Sequence, residues 1–201
     1  MAEKFNQALG WLRKLVGNNM LIIGIAGHPS SGKDTSAEYI ASKGFAHISC
    51  GDILREEMKK IGLPIDRPSI RQFVTEKRQE KGAFYPVNIA CEKIIDDTII
   101  TGFRNLAEVA YVRERYKDQF ILIALDAPLT ARYERALKRN REGDNLTFEE
   151  FKSHNEAERN NNPESHEVDN VLAQADYIIE NIGSQSDLFQ KIDDLLEKIK
   201  K

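Results

Sequence analysis

Cysteine is scarce in this chain. Cys50 and Cys91 are the only two, and they form neither a CxxC pair nor a Cys/His metal spacing. They fit reduced core thiols, as in a cytosolic protein. The four histidines, His28, His47, His154 and His166, are scattered without metal-ligand spacing. No apolar run is long enough to span a bilayer. The first residues place Glu3, Asn6 and Gln7 where a secretory signal needs a basic and then an apolar stretch, so a cytoplasmic location is expected. Neither sign of charge dominates: 29 Lys and Arg against 32 Asp and Glu leave a net charge of −3. That balance argues against a general binder of nucleic acid or membranes. Basic residues must therefore be placed locally if the ligand is anionic. Internal repeats, low-complexity tracts and an N-K-x-D tetrapeptide are also missing. What remains is 201 residues with 41% apolar and 30% charged side chains, enough for one globular α/β domain with a real core.

The most informative stretch is Gly27-His28-Pro29-Ser30-Ser31-Gly32-Lys33-Asp34-Thr35, which reads G-x-x-x-x-G-K. Met20 to Ala26 before it is apolar and rich in β-branched residues, as a buried parallel strand should be. Ser36 to Ala41 after it reads as a helix start. Strand, glycine loop and helix together aim backbone N–H groups and a positive helix end at one anion. Gly27, His28, Ser30, Ser31, Gly32 and Lys33 are thus candidates to hold a nucleotide phosphate chain, with Lys33 reaching the β- and γ-phosphates. The residue after the lysine is Asp34, where Ser or Thr is usual, and Thr35 follows. Asp34 and Thr35 are the candidate Mg²⁺ ligands, since hard cations take oxygen donors. Equally, Asp34 can simply favour the positive end of its helix.

Along the rest of the chain, residues 3–17 read as an amphipathic helix with Phe5, Leu9, Leu12 and Val16 at helical spacing. This addition, residues 1–19, would pack on the domain or on a second subunit, so a monomer or a homodimer is expected. Four further strands are predicted at Phe45–Ser49, Thr98–Phe103, Phe120–Leu125 and Asp176–Asn181. Between them fall predicted helices: one from Ile53 with Asp52 as its cap, a basic one over Ser69–Lys81, one over Phe84–Asp97 with Cys91, Ile94 and Ile95 inward, and one ending near Lys117. Others carry Arg132, Arg135 and Arg139, open at the Thr147/Glu150 capping box and fail near Asn160–Pro163, or run from Ser184 with Leu188, Ile192, Leu195 and Ile199 on one face. Pro128, just after Asp126, is a helix-start signal, which favours Asp126 as a cap over a metal-binding acid. The expectation is a three-layer α/β fold, a five-stranded parallel sheet with helices on both faces. A domain over 20–201 would carry two helical insertions, about 53–97 and about 138–170, at the carboxyl edge of the sheet.

Several motifs resemble the nucleoside monophosphate kinase group of phosphate-loop (P-loop, Walker A) proteins, which includes adenylate kinases and dephospho-CoA kinases. The resemblance covers about residues 20–196. Lys33-Asp34-Thr35 resembles the G-K-G-T of adenylate kinases and the G-K-D-T of some viral deoxynucleotide kinases. Ile48 to Arg55 resembles the group's I-S-T-G-D-M-L-R, and Thr101-Gly102-Phe103-Arg104 its D-G-F-P-R. Thr101 stands where these kinases commonly have an Asp, and no Pro separates Phe103 from Arg104. Glu134-Arg135 with Arg139 is similar to the helix that carries donor-binding arginines into the lid. Ala175 to Asn181 with Gly183 is closer to dephospho-CoA kinases, where the Asn-x-Gly turn lies near the donor base.

The resemblance implies an ATP- and Mg²⁺-dependent kinase acting on a small phosphorylated acceptor, a nucleoside or deoxynucleoside monophosphate or, alternatively, dephospho-CoA. A nucleotide-dependent switch is the reading from another class. Arg135, Asn181 and Gly183 would bind the donor, while Asp52, Arg55 and Arg104 would bind the acceptor. Forked guanidinium groups suit a phosphate. Asp52 would orient the acceptor or, for a hydroxyl acceptor, serve as a base. Arg135, Arg139 or Arg141 would close over the transferring group. Arg71 and Arg78 sit on the basic helix and are expected to be solvated. Glu134 and Glu142 offer Arg135 and Arg139 simple ion-pair partners as well.

Overall fold

Every residue of β1 (Ile22–Gly27) is buried, as its β-branched run predicts for a central strand covered on both faces. A computed structural model describes residues 20–139, 146–159 and 167–199 of the chain. The expected N-terminal helix, residues 140–145 with Arg141, and residues 160–166 with His166 lie outside these. The other strands are β2 (Ala46–Ser49), β3 (Thr98–Thr101), β4 (Phe120–Asp126) and β5 (Tyr177–Glu180). Their order across the sheet is β2-β3-β1-β4-β5, and all four pairings are parallel. This is the α/β layered fold expected from the strand and helix signals.

The helices of the described residues are α1 (Lys33–Ala41), α2 (Cys50–Lys60), α3 (Arg67–Lys81), α4 (Val87–Glu92), α5 (Leu106–Tyr116), α6 (Leu129–Arg139), α7 (Phe148–Arg159), α8 (Val168–Ala173) and α9 (Gln185–Ile199). Alternate residues of the central strands serve opposite faces. Ile23, Ile25, Ile99 and Ile123 meet Ala37 and Ile40 of α1 and Leu188 and Ile192 of α9. Ile22, Ile100 and Leu122 meet Ile53 of α2, Ala90 of α4, Val109 of α5 and Val171 of α8. A smaller cluster, Leu54, Met58, Phe73, Val74 and Tyr85, fixes α3 against α2. That cluster makes the segment between β2 and β3 a packed wall beside the sheet.

Three local expectations are corrected. Ser49, not Asp52, caps α2: its side chain accepts from the Asp52 N–H, which puts Asp52 in the first turn. The helix expected over Phe84–Asp97 is only α4, and Ile95 is 46% exposed rather than inward. The chain leaves the helix because Asp97 is needed elsewhere. Its carboxylate accepts from Leu21 N at 2.8 Å and its carbonyl from Ala46 N at 2.9 Å, tying together the starts of β1 and β2. Arg78, expected to be solvated, is buried. The Thr147/Glu150 capping box forms as read, with Thr147 N donating to Glu150 at 2.8 Å.

Candidate functional site

The loop between β1 and α1 enters its helix without a side-chain cap. Gly32 precedes α1 in a left-handed conformation, φ 106°, and has no side chain with which to cap the first turn. A Cβ at Gly32 would also lie 2.4 Å from Asn181 Nδ2, and one at Gly27 would lie 2.7 Å from the Leu125 carbonyl. Both positions therefore need glycine. Ser30 has φ 59°, an uncommon conformation for a residue with a side chain. Lys33 Nζ donates to the His28 carbonyl at 2.7 Å, which holds the ammonium across the loop.

Asn181, just after β5, braces this loop. Its Nδ2 donates to Ser31 O at 2.8 Å, and its own carbonyl accepts from Arg135 Nη2 at 2.8 Å. The buried Ser30 Oγ, Ser31 Oγ and Arg135 Nη1 have no hydrogen-bond partner among the described residues. Buried polar groups are normally paired; of these three, Ser30 and Arg135 border a cleft and could meet a polar ligand there, whereas Ser31 is fully buried.

Two clefts open over the loop. One, of about 360 Å³, is bordered by Gly32, Thr35, Glu38 and Arg135. The other, of about 390 Å³, lies between the loop and the wall formed by α2 and α3, bordered by Arg55, Val74, Arg78 and Arg104. Ser30, Lys33, Asp34 and Arg139 line both. Loop residues and one α6 arginine therefore stand where the two spaces meet.

The remaining expected site residues lie at the edges. His28 is buried, and its Nε2 lies 2.8 Å from Asp169 Oδ1 on α8. Asp52 pairs with Arg55 Nη2 at 2.6 Å. Burial pushes the Asp52 carboxyl up, but the hydrogen bonds its carboxylate accepts from the Arg55 and Ser49 side chains, with the Arg55 charge, outweigh it and bring Asp52 below the ordinary aspartate value. Gly183 borders neither cleft; it lies beside Asp187, whose carboxylate accepts from Ser184 N at the start of α9. Asn181 braces the loop from behind. Thr101 accepts or donates a 3.0 Å hydrogen bond with His47 Nε2. Cys50 borders the larger cleft, yet burial pushes its thiol well up, so it stays protonated.

Sequence reading missed Glu108 as part of the site. It is fully buried at the third position of α5, in a capping box with Asn105. Its Oε1 accepts from Arg78 Nη2 at 2.7 Å, and its Oε2 from Arg104 N at 2.6 Å. The N-x-x-E spacing was the available signal for the cap, but nothing local announces a partner 30 positions away. Burial raises the Glu108 carboxyl, with the Arg78 charge and the Arg104 N–H acting against it. Arg132, by contrast, is a strut: its Nε donates to Ala127 O at 3.0 Å and its Nη1 to Asn155 of α7.

A G-x-x-x-x-G-K loop at the carboxyl end of the central strand of a parallel sheet is the arrangement of a phosphate-loop protein. The family model described as "AAA domain" matches residues 26–152. A UPF0200 protein of Methanocaldococcus jannaschii is 31% identical over 187 residues, which is 90% of this chain and 91% of that one. A UPF0200/UPF0201 protein of Archaeoglobus fulgidus is 32% identical over 188 residues; the match spans 90% of this chain but only 57% of that relative. The chain belongs to this AAA-domain family and to the UPF0200 proteins. Among solved structures, TT1252 from Thermus thermophilus is similar with a TM-score of 0.56 and 20% identity, over 89% of this chain and 97% of that one. Shikimate kinase from Aquifex aeolicus is similar with a TM-score of 0.54 and 21% identity, again over 89% and 97%. These likenesses establish a kinase-like fold. No helix among the described residues is long and apolar enough to cross a membrane.

Proposed function

We propose that the chain transfers the γ-phosphoryl group of ATP to a small phosphorylated acceptor, a nucleoside or deoxynucleoside monophosphate. The carrying observation is the meeting of two clefts at Ser30, Lys33, Asp34 and Arg139. Phosphoryl transfer needs a donor and an acceptor on opposite sides of one charge-stabilised point. Here the cleft beside Gly32, Thr35 and Arg135 takes the donor, and the cleft beside Arg55 and Arg104 takes the acceptor. An acceptor phosphate oxygen forms the new P–O bond as the bond between the γ-phosphorus and the bridging oxygen breaks, and ADP leaves.

Lys33 and the uncapped N–H groups of α1 hold the donor phosphates. Arg139 faces both clefts and neutralises charge on the group in transit. Arg55 and Arg104 grip the acceptor phosphate. In this reading the segment about 53–97 is the acceptor-binding insertion, and about 138–170 is the lid. Asp34 and Thr35 supply hard oxygen donors beside the phosphate site, a set that fits Mg²⁺ shared with nucleotide oxygens. Bound there, Mg²⁺ would offset phosphate charge. In this reading nucleotide oxygens and water complete the shell of the ion.

A hydroxyl acceptor, as in dephospho-CoA, needs a base. Asp52 is a poor one, being paired with Arg55 and held ionised by a lowered pKa. A phosphate acceptor is already nucleophilic and needs none. The test is ADP release from ATP and Mg²⁺ with a panel of ribo- and deoxyribonucleoside monophosphates and dephospho-CoA. Release that depends on a monophosphate supports the reading, and no dependence on any acceptor removes it.

A further inference from the structure

The larger cleft holds a feature that the general reading does not use. Its border carries six cations, Lys33, Arg55, Arg71, Arg78, Arg104 and Arg139, against two acids, Asp34 and Glu108. Arg78 is the buried member, with its side chain 5% exposed, and it still borders the cleft. It shares one face of α3 with Ile70 and Val74, spaced four residues apart, which also line the cleft. Its guanidinium is held from the protein side: Nε donates to Tyr85 O at 3.2 Å, and Nη2 donates to Glu108 at 2.7 Å. Glu108 is shared. The same carboxylate accepts from the Arg104 backbone N–H at 2.6 Å and from that of Asn105 at 3.4 Å. One buried acid thus sets the position of one cleft arginine and of the backbone that carries another. Arg78 and Glu108 offset each other's charge as a buried pair, so the excess positive charge of the cleft comes from Lys33, Arg55, Arg71, Arg104 and Arg139, and what Arg78 adds is a guanidinium held in a fixed orientation at the cleft border.

We propose that Arg78, positioned by Glu108, is a second anchor for the acceptor's anionic group, and that the cleft selects a phosphate-bearing acceptor with an apolar-faced body over a neutral polyol. This rests on the phosphoryl-transfer reading of the two clefts. Arginine forks recognise phosphate oxygens in pairs. The wall between them, Leu54, Ile70, Val74 and Pro86, suits a ring face. A polyol would need carboxylate or amide acceptors for its hydroxyls, and of the two lining acids Glu108 is already occupied.

The experiment uses the whole chain saturated with the non-hydrolysable analogue AMP-PNP and Mg²⁺, so that the loop is filled. Inorganic phosphate is then titrated in by calorimetry. The expected result is that the loaded wild type binds phosphate and that Arg78→Gln and Glu108→Gln weaken it about tenfold or more, with AMP-PNP affinity preserved. Arg78→Lys keeps the ion pair but not the fork, and it decides the matter if Arg78→Gln does not fold; a loss of about fivefold is expected. Ribitol, a neutral polyol, should not displace phosphate. Equal phosphate affinity in wild type and folded variants overturns the anchor, as does a loaded wild type that binds no phosphate, and displacement by ribitol overturns the selectivity. The two readings fail separately. Loss of phosphate binding in Arg78→Gln, with no monophosphate turned over by wild type, keeps the anchor and removes the kinase reading. Turnover with the same acceptor KM in both proteins does the reverse.

Discussion

Asn181 Nδ2 donates to the Ser31 carbonyl at 2.8 Å, joining the end of β5 to the phosphate loop 150 positions earlier. The same residue accepts from Arg135 of α6. Asn181 thus holds the loop and a donor-side arginine in one arrangement without bordering either cleft. Asn181→Ala should cost about 1–3 kcal/mol, because the buried Ser31 carbonyl loses its donor. It should also weaken ATP binding about tenfold, since loop amides and Arg135 would have to be ordered by the ligand itself. Denaturant unfolding and ATP titration measure the two effects. A destabilised protein with unchanged ATP affinity would leave Asn181 a purely structural residue.

Lys33 should behave differently. Its ammonium donates to the His28 carbonyl within its own loop, and the residue belongs to none of the three core clusters. Lys33→Ala should therefore leave the thermal midpoint within a few degrees of wild type. Loss of its charge from the point where the clefts meet should lower kcat by about a hundredfold or more. Near-normal turnover in Lys33→Ala would remove the donor site as described here.

Asp34 has two accounts that stability and metal dependence separate. It is exposed in the first turn of α1 and borders both clefts. If it only complements the helix end, Asp34→Asn costs about 0.3–1 kcal/mol and changes nothing else. If it also helps to hold Mg²⁺, the Mg²⁺ concentration for half-maximal rate rises severalfold, while ATP binding measured without metal changes little. The second outcome is expected, from its place beside Lys33 and Thr35 at the phosphate site.

The fold was legible because its signals are local. The β-branched runs at Ile22–Ala26 and Phe120–Leu125 could only be buried strands. The G-x-x-x-x-G-K loop fixed where strand gives way to helix. Arg55, Arg104 and Arg139 were read as site residues, and all three border the larger cleft. The errors came where tertiary demands override local preference. Ile95 carries a helical pattern, but Asp97 is drawn off to bind Leu21. Arg78 sits on a helix whose sequence looks solvated, but Glu108, brought in by the turn after β3, and the Tyr85 carbonyl pair with it where it is buried. The bonds of Asn181 to Ser31 and Arg135 were also not foreseen. No local pattern encodes a contact between β5 and the loop after β1.

The nature of the acceptor can be decided by comparing Arg104 with Asp52. Arg104 borders the acceptor cleft, and its backbone is fixed by Glu108. With a monophosphate acceptor the group that Arg104 grips is also the nucleophile, so one contact serves both binding and alignment. Arg104→Ala should then raise the acceptor KM and lower kcat, reducing kcat/KM about a hundredfold, with ATP affinity nearly unchanged. Asp52 should matter little. Its side chain is 62% exposed and paired with Arg55, and its lowered pKa keeps it ionised throughout about pH 5 to 8. Because its folded pKa lies below its unfolded one, its small stabilising effect is present above the ordinary aspartate pKa. That effect fades as pH falls through the lowered value. Asp52→Asn should change kcat less than about threefold and should leave the pH–rate profile between pH 5 and 8 unaltered. A hydroxyl acceptor reverses the ranking: Asp52→Asn would then collapse kcat with little change in KM, because removal of the hydroxyl proton would have lost its base.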